Sequence, residues 1–266
     1  MSIVKKGTAG KLNVMIYENR QQLGEDAAKA AAEKINELLQ TQQMVNVIFA
    51  AAASQNEFLA TLITLDIEWT RVNAFHMDEY IGLPEGAKQH FSCFLGEKIF
   101  NQVPFANVFC LNGSTKDTEA ECARYSQLLL EYPTDITCMG IGENTHLAFN
   151  DPYIADFNEN KLVKVVELAH ESKQQQVNED CFDHVSQVPA YAYTLTVPAL
   201  LKAKAIYSMV PGPSKAEAVF HTLNDEISEK YPSTILRTLP NAYLFLDKDS
   251  AANLADVSEL SPILFD

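Results

Sequence analysis

The sequence is short of the features that mark several large functional classes. Positive charge is scarce: 20 Lys and Arg stand against 35 Asp and Glu in 266 residues, a formal net charge of −15. A chain this acidic is repelled by nucleic-acid backbones and by anionic membrane surfaces, so neither is expected as a partner. No apolar run approaches the roughly 20 residues that a membrane helix needs. The stretch from Met1 to Gly10 has two lysines but no hydrophobic segment after it, which argues against secretion. Cysteine is sparse and unpatterned. The five thiols (Cys93, Cys110, Cys122, Cys138 and Cys181) are odd in number and contain no C-x-x-C pair. Free, mostly buried thiols in a reducing cytoplasm follow from that pattern. The histidines are scattered, glycine-rich dinucleotide and P-loop patterns are missing, and no serine lies in a nucleophile elbow. A metal, an organic cofactor and a covalent nucleophile are therefore not expected.

What is present is a regular alternation of short apolar runs and amphipathic stretches. Hydrophobic content of 47% is ordinary for a globular core. Strands are predicted at 44–49, 72–75, 107–111, 135–139, 162–166, 193–197, 205–210 and 241–246. Helices are predicted at 20–40, 58–65, 89–100, 117–130, 198–202 and 215–223. Repeated strand–loop–helix units imply an α/β fold: a mostly parallel, Rossmann-like doubly wound sheet with helices on both faces. One domain over 1–266 is expected, with a flap at about 152–188. Its polar portion, 171–188, has only Phe182 and Val185 as predicted anchors.

Ligands of such sheets bind at the carboxyl ends of the strands. That rule gathers Ser54, Asp78, His146 and Lys215, each of which follows a predicted strand. The densest stretch is Met139 to Pro152, M-G-I-G-E-N-T-H-L-A-F-N-D-P. Gly140 and Gly142 allow unusual backbone conformations and close approach of a ligand. His146 can exchange protons near neutral pH, and Asp151 or Glu143 could orient its ring. Ser54-x-x-Glu57 and Ser214-x-x-Glu217 fit the capping box that starts a helix, as does Thr118-x-x-Glu121, where no ligand is expected. Two such starts beside Ser54 and Lys215 suit an anion, phosphate above all. Of the adjacent acids Asp78 and Glu79, strand alternation lets only one enter a cleft, where it could remove a proton beside a carbonyl. His76 is expected to be structural.

Four ordered motifs carry a resemblance: F-H-M-D-E-Y-I-G-L-P (75–84), G-I-G-E-N-T-H-L-A-F-N-D-P (140–152), Q-V-P-A-Y-A-Y-T-L-T-V (187–197) and P-G-P-S-K-A (211–216). Together they resemble the glucosamine-6-phosphate deaminase (isomerase) family, as a divergent branch. The resemblance implies conversion of D-glucosamine 6-phosphate, or a related amino-sugar phosphate, and water to fructose 6-phosphate and ammonia without a cofactor. It implies Asp78 as the base between C2 and C1, His146 as the ring-opening residue assisted by Asp151 and Asn144, and a phosphate site of Ser54, Gln55 and Lys215. A homo-oligomer is among the states found in the family. The chain departs from the family pattern at several points. Its phosphate loop is Ala50-Ala51-Ala52-Ala53-Ser54-Gln55-Asn56 rather than glycine- and threonine-rich. Asn144 stands for an aspartate and Asp151 for a glutamate. No arginine occurs between 172 and 179, where the nearest substitute is Lys173. Two other readings are a 6-phosphogluconolactonase-like hydrolase and a non-catalytic sugar-phosphate sensor.

Overall fold

The computed structural model describes residues 3–254, so the expected 1–266 span reaches past the described residues at both ends. Eleven strands and seven α-helices occur among the described residues. In chain order they are β1 (Ile3–Ala9), β2 (Leu12–Tyr17), α1 (Arg20–Leu39), β3 (Val45–Phe49), α2 (Asn56–Leu62), β4 (Val72–His76), β5 (Asp78–Ile81) and α3 (Phe91–Leu95). There follow β6 (Asn107–Phe109), α4 (Thr118–Glu131), β7 (Ile136–Met139), β8 (Val163–Glu167), α5 (His170–Asn178) and β9 (Tyr191–Leu195). The series ends with α6 (Val197–Leu201), β10 (Ala205–Val210), α7 (Ala216–Asn224) and β11 (Ala242–Asp247).

Eight strands form the main sheet in the order β1-β2-β11-β10-β7-β3-β4-β6. Every pairing in it is parallel except the β1–β2 hairpin at the edge. The inner strands are buried along their length and mainly apolar, with buried polar residues such as Asn46, Asn73 and Ser208 among them, because helices cover both of their faces. Residues of α1, α2 and α3 pack with Phe49, Ala74 and Tyr207 on one side. Residues of α4, α6 and α7 pack with Ile48, Phe75 and Ile206 on the other. From β3 the chain proceeds outward through β4 and β6. From β7 it proceeds the other way through β10 and β11. The reversal lies between β3 and β7, and such a switch point opens a crevice at the carboxyl ends of the strands.

Several expectations need correction. The hairpin β1–β2 is not marked by strong alternation, and its turn depends on Gly10 at φ +60°. The expected helix 89–100 is α-helical only over α3 and continues as a wider π-type turn through Phe100. The strands expected at 162–166 and 193–197 exist as β8 and β9, but outside the parallel sheet. They pair antiparallel with β5 in a separate three-stranded sheet, β5-β9-β8. At Met77 the chain passes from the main sheet into this small one, and the Leu195 N–H donates to the Met77 carbonyl at 2.8 Å. An aromatic cluster of Tyr80, Phe91, Phe149 and Phe182 lies under the small sheet. Phe182 is thus an anchor as expected, while Val185 is only half-buried.

None of the three capping boxes forms. Before α2 and α7 the chain enters through 3-10 turns at Ala53–Gln55 and Pro213–Lys215, and no side chain caps either helix. Glu57 instead makes a two-pronged ion pair with Arg20, at 2.7 and 2.9 Å. In α4 the cap is Asp117, whose carboxylate accepts from the Ala120 N–H. The five thiols are free, but only Cys138 is fully buried and Cys93 is exposed. Among the described residues no helix is long and apolar enough to cross a membrane.

Candidate active site

Four neighbouring strands of the main sheet, β10, β7, β3 and β4, each lead at their carboxyl ends to one candidate residue. The loop after β3 brings Ser54, the exit from β4 brings Asp78, the loop after β7 brings His146, and the turn after β10 brings Lys215. All four line one cavity that opens to solvent. Ala50, Ala51 and Ala52 form part of the same wall.

The loop after β7 is fixed from several sides. The Gly142 N–H donates to the His146 carbonyl at 3.0 Å. Asn150 is a brace rather than a site residue: its amide donates to the carbonyls of Leu147 and Leu195, both at 2.8 Å. Phe149 N–H donates to Thr194 Oγ1 of β9 at 3.0 Å. Thr145, Ala148 and Tyr153 all take positive φ, at 72°, 51° and 68°. Three non-glycine residues in this region mark a conformation imposed by the surrounding contacts, a common feature of functional loops.

His146 is almost fully buried, and the groups around its Nδ1 determine which way the ring works. Nδ1 lies 2.7 Å from Asn144 Oδ1 and 3.2 Å from Asp151 Oδ1. Both are acceptors, so Nδ1 carries the hydrogen and Nε2 is left to act in the cavity. Asn144 Nδ2 donates to Asp151 Oδ1 at 3.0 Å, and Ser172 Oγ donates to the same oxygen at 2.5 Å. Ser172 Oγ is also 3.1 Å from His146 Nδ1. Burial raises the Asp151 pKa, but the hydrogen bond and charge of His146, with Ser172 and Asn144, more than offset this and hold the carboxyl below its usual range. Asp151 thus remains an anion behind the imidazole. Glu143, the other partner considered for His146, contributes its backbone instead, donating N–H to Gln175 Oε1 at 3.0 Å.

The two glycines work by lack of bulk. Neither takes a positive φ. A Cβ on Gly142 would lie 2.1–2.3 Å from three atoms of the His146 ring, so only glycine leaves room for it. On Gly140 it would press Ser54 Oγ at 3.1 Å.

Asp78 is the carboxylate of its pair that enters the cavity, while Glu79 turns away from it. Burial, reinforced by the charge of Glu79, holds the Asp78 pKa well above the usual carboxylate range, which makes its anion a stronger base. His76 is structural: its Nε2 accepts from the Leu111 N–H at 2.7 Å, and burial lowers its pKa to about 4. Ser54 lines the cavity, and its hydroxyl accepts from Gln55 Nε2 at 2.9 Å. Gln55 itself is not among the lining residues. It is buried, and its amide also donates to the Met139 carbonyl at 3.3 Å, linking the two loops. Lys215 is likewise buried, which lowers its pKa, with Glu179 and Glu143 opposing. The Gly212 N–H, donating to both Asp247 carboxylate oxygens at 3.0 and 3.1 Å, secures the turn that carries Lys215.

Sequence reasoning missed the contribution of α5. Its buried residues are Ser172, Gln175 and Gln176, all polar, and both glutamines line the cavity. The signal was present in the sequence: three polar residues at i, i+3 and i+4 share a helix face. Lys173 does not reach this cavity. It lines a separate cleft with Ile81, Leu83 and Leu168.

Residues 18–243 match the sequence model of the glucosamine-6-phosphate isomerases/6-phosphogluconolactonase family. A glucosamine-6-phosphate deaminase of Streptococcus sanguinis is 31% identical over 243 residues, covering 91% of this chain and 99% of the relative. One from Bacillus cereus is 31% identical over 239 residues, covering 90% and 88%. Among solved structures, a monomeric glucosamine-6-phosphate deaminase of the NagB superfamily superposes with a TM-score of 0.82 at 28% identity, covering 90% of this chain and 99% of that one. A 6-phosphogluconolactonase of Thermotoga maritima shares the fold, with a TM-score of 0.72 at 19% identity and coverage of 88% and 99%. The chain is an enzyme of the glucosamine-6-phosphate isomerase/6-phosphogluconolactonase family.

Proposed function

We propose that this enzyme converts D-glucosamine 6-phosphate, or a closely related amino-sugar phosphate, and water to fructose 6-phosphate and ammonia. The observation that carries the reading is a buried carboxylate, Asp78, sharing one cavity with an oriented imidazole, His146. A lactonase has no proton to take from carbon. An aldose–ketose isomerisation does, and Asp78 suits that step because its raised pKa matches a base that must take and return a proton.

On this reading His146 acts first. Its Nε2 transfers a proton between the C1 hydroxyl and the ring oxygen, opening the pyranose to the aldehyde. Asn144, Asp151 and Ser172 keep the hydrogen on Nδ1 and stabilise the imidazolium that forms in passing. Asp78 then removes the C2 proton and returns it to C1 through an enolamine, while one hydrogen of the amino group passes to O1, leaving a hydroxyl at C1 and an imine at C2. Water adds to C2 and ammonia leaves. Ser54 and Lys215 hold the phosphate at the far end, and Gln175 and Gln176 border the sugar. The segment 152–188, which contains α5, is on this reading the element that closes over bound substrate in a cytoplasmic enzyme.

The test is a panel of phosphorylated amino sugars in which ammonia and ketose are measured together. Equimolar release of both from glucosamine 6-phosphate is expected. Hydrolysis of 6-phosphogluconolactone with no ammonia from any amino sugar would exclude the proposal. Binding of hexose phosphates without turnover would exclude it in favour of a sensor.

A further inference from the structure

Lys215 is the one Lys or Arg among the described residues that line the cavity, and its ammonium is already engaged. Glu179, which follows α5, approaches it to 3.8 Å. That carboxylate is held in place: Gln175 Nε2 donates to Glu179 Oε1 at 2.7 Å, and Gln175 Oε1 accepts from the Glu143 N–H at 3.0 Å. A continuous chain of contacts therefore runs from the loop after β7, through α5, to the turn after β10. Of its members, Gln175 and Lys215 line the cavity. Segment 170–188 contains no arginine to add positive charge there. The charge of the Lys215 ammonium is thus met by one tethered carboxylate at ion-pair distance, with Glu143 acting on it from further away.

We propose that Glu179 is a specificity-determining counter-ion, which occupies Lys215 in the free enzyme and competes with the substrate's phosphate for it. The inference rests on the amino-sugar phosphate reading above. A phosphate dianion seated on Lys215 would meet the Glu179 carboxylate near ion-pair distance, and like charges so placed repel unless one moves. Of the two, Glu179 is the one that yields, giving up its bond from Gln175, since its side chain is 17% exposed and borders solvent whereas that of Lys215 is 7% exposed. Its departure also releases the Gln175 amide from one of its two partners. The site therefore binds a dianionic phosphate more weakly than Lys215 alone would allow, and it discriminates less against sugars whose terminal group carries less charge.

Glu179→Gln tests this because it keeps the side-chain length and an acceptor for Gln175 while removing the charge. Inorganic phosphate, titrated calorimetrically against the full-length enzyme, is expected to bind about tenfold more tightly to Glu179→Gln than to wild type. KM for glucosamine 6-phosphate should fall in parallel, with kcat changed less than about threefold. Glu179→Ala, which also loses the Gln175 bond, should tighten phosphate in the same direction. Adding Lys215→Met should erase the gain in either background. Equal or weaker phosphate binding by a folded Glu179 variant, or a gain that survives without Lys215, overturns the proposal. Phosphate binding is read without turnover, so the two readings fail separately. Tighter phosphate with no ammonia release removes the deaminase reading alone, and ammonia release with unchanged phosphate affinity removes the counter-ion alone.

Discussion

Asp78 and Glu79 are consecutive residues on opposite faces of β5, and the fold tunes the same chemical group in opposite directions. Asp78 lines the cavity, across from Thr194 of β9. Glu79, across from Tyr193, accepts hydrogen bonds from the N–H groups of Tyr80, Phe91 and Ser92 and from Ser92 Oγ, at 2.8–3.1 Å. His90 Nδ1 lies 3.1 Å away from it. Burial raises the Glu79 pKa, but His90, the charge of His76 and the Ser92 bonds outweigh it and the net shift is downward. One carboxylate is left reactive, and the other fastens β5 to the start of α3.

Asp78→Asn and Glu79→Gln should therefore separate cleanly. Asp78→Asn removes the base and is expected to lower kcat for ammonia release by about 10²–10⁴-fold, with thermal stability at least equal to wild type. Glu79→Gln keeps the base but places an amide where two Ser92 donors need an acceptor, at a cost of about 2 kcal/mol in stability. Its kcat should change far less than that of Asp78→Asn. Normal turnover by Asp78→Asn would remove the residue from the base role.

The raised Asp78 pKa has a pH signature in stability as well as in rate. The unfolded carboxyl ionises near its ordinary value, about 3.9, whereas the folded one holds its proton to higher pH. Between those two points the folded state binds more protons, so stability declines as pH rises through the window. Asp151 has the opposite sign: its contribution is present above the ordinary carboxylate pKa and is lost as pH falls through its depressed folded value. Unfolding of wild type and Asp78→Asn measured across pH should show wild type losing ground to the variant as pH rises from about 4. The acid limb of kcat/KM should lie above the ordinary carboxylate range. Parallel stability profiles for the two proteins would show that Asp78 titrates normally.

Much of this site was legible in the sequence because parallel strands ending in loops follow a general rule. Ser54, Asp78, His146 and Lys215 could be grouped from that rule before any geometry was known, and all four line one cavity. The small sheet was not legible. Strand β5 is four residues long and follows β4 after Met77 alone, so it reads as the end of that strand until β9 is known to lie beside it. The capping boxes misled because the chain enters α2 and α7 through 3-10 turns, and Glu57 finds Arg20, 37 residues away in sequence. Nothing local announces such a partner. The polar face that Ser172 shares with Gln175 and Gln176 is visible in the spacing, but its partner is not: α5 reaches Asp151 across 21 residues of sequence.

Asn144 and Asp151 form an ordered donor–acceptor pair behind His146, and exchanging them tests whether the order matters. Asn144→Asp would replace the Nδ2 donor with a second carboxylate oxygen facing Asp151 Oδ1, at a position now spanned by a 3.0 Å bond. One acid would then have to take up a proton or move away, disturbing the ring. A loss of roughly tenfold in kcat is expected. Adding Asp151→Asn restores one carboxylate and one amide and should recover part of that loss. A double variant no better than the single one would show that each residue acts independently of the other.

Gly142→Ala probes the imidazole from its other side. The added methyl would fall 2.1–2.3 Å from the His146 ring, inside any permissible contact. The ring cannot retreat without breaking the 2.7 Å contact to Asn144, and the loop cannot shift freely because the Gly142 N–H is bonded to the His146 carbonyl. Overpacking of this kind costs about 1–3 kcal/mol. The more telling effect is on chemistry: kcat should fall while affinity for inorganic phosphate, read at Lys215, stays near that of wild type. If phosphate binding fell together with kcat, the disturbance would extend beyond His146, and the loop after β7 would have to be treated as one unit with the turn after β10.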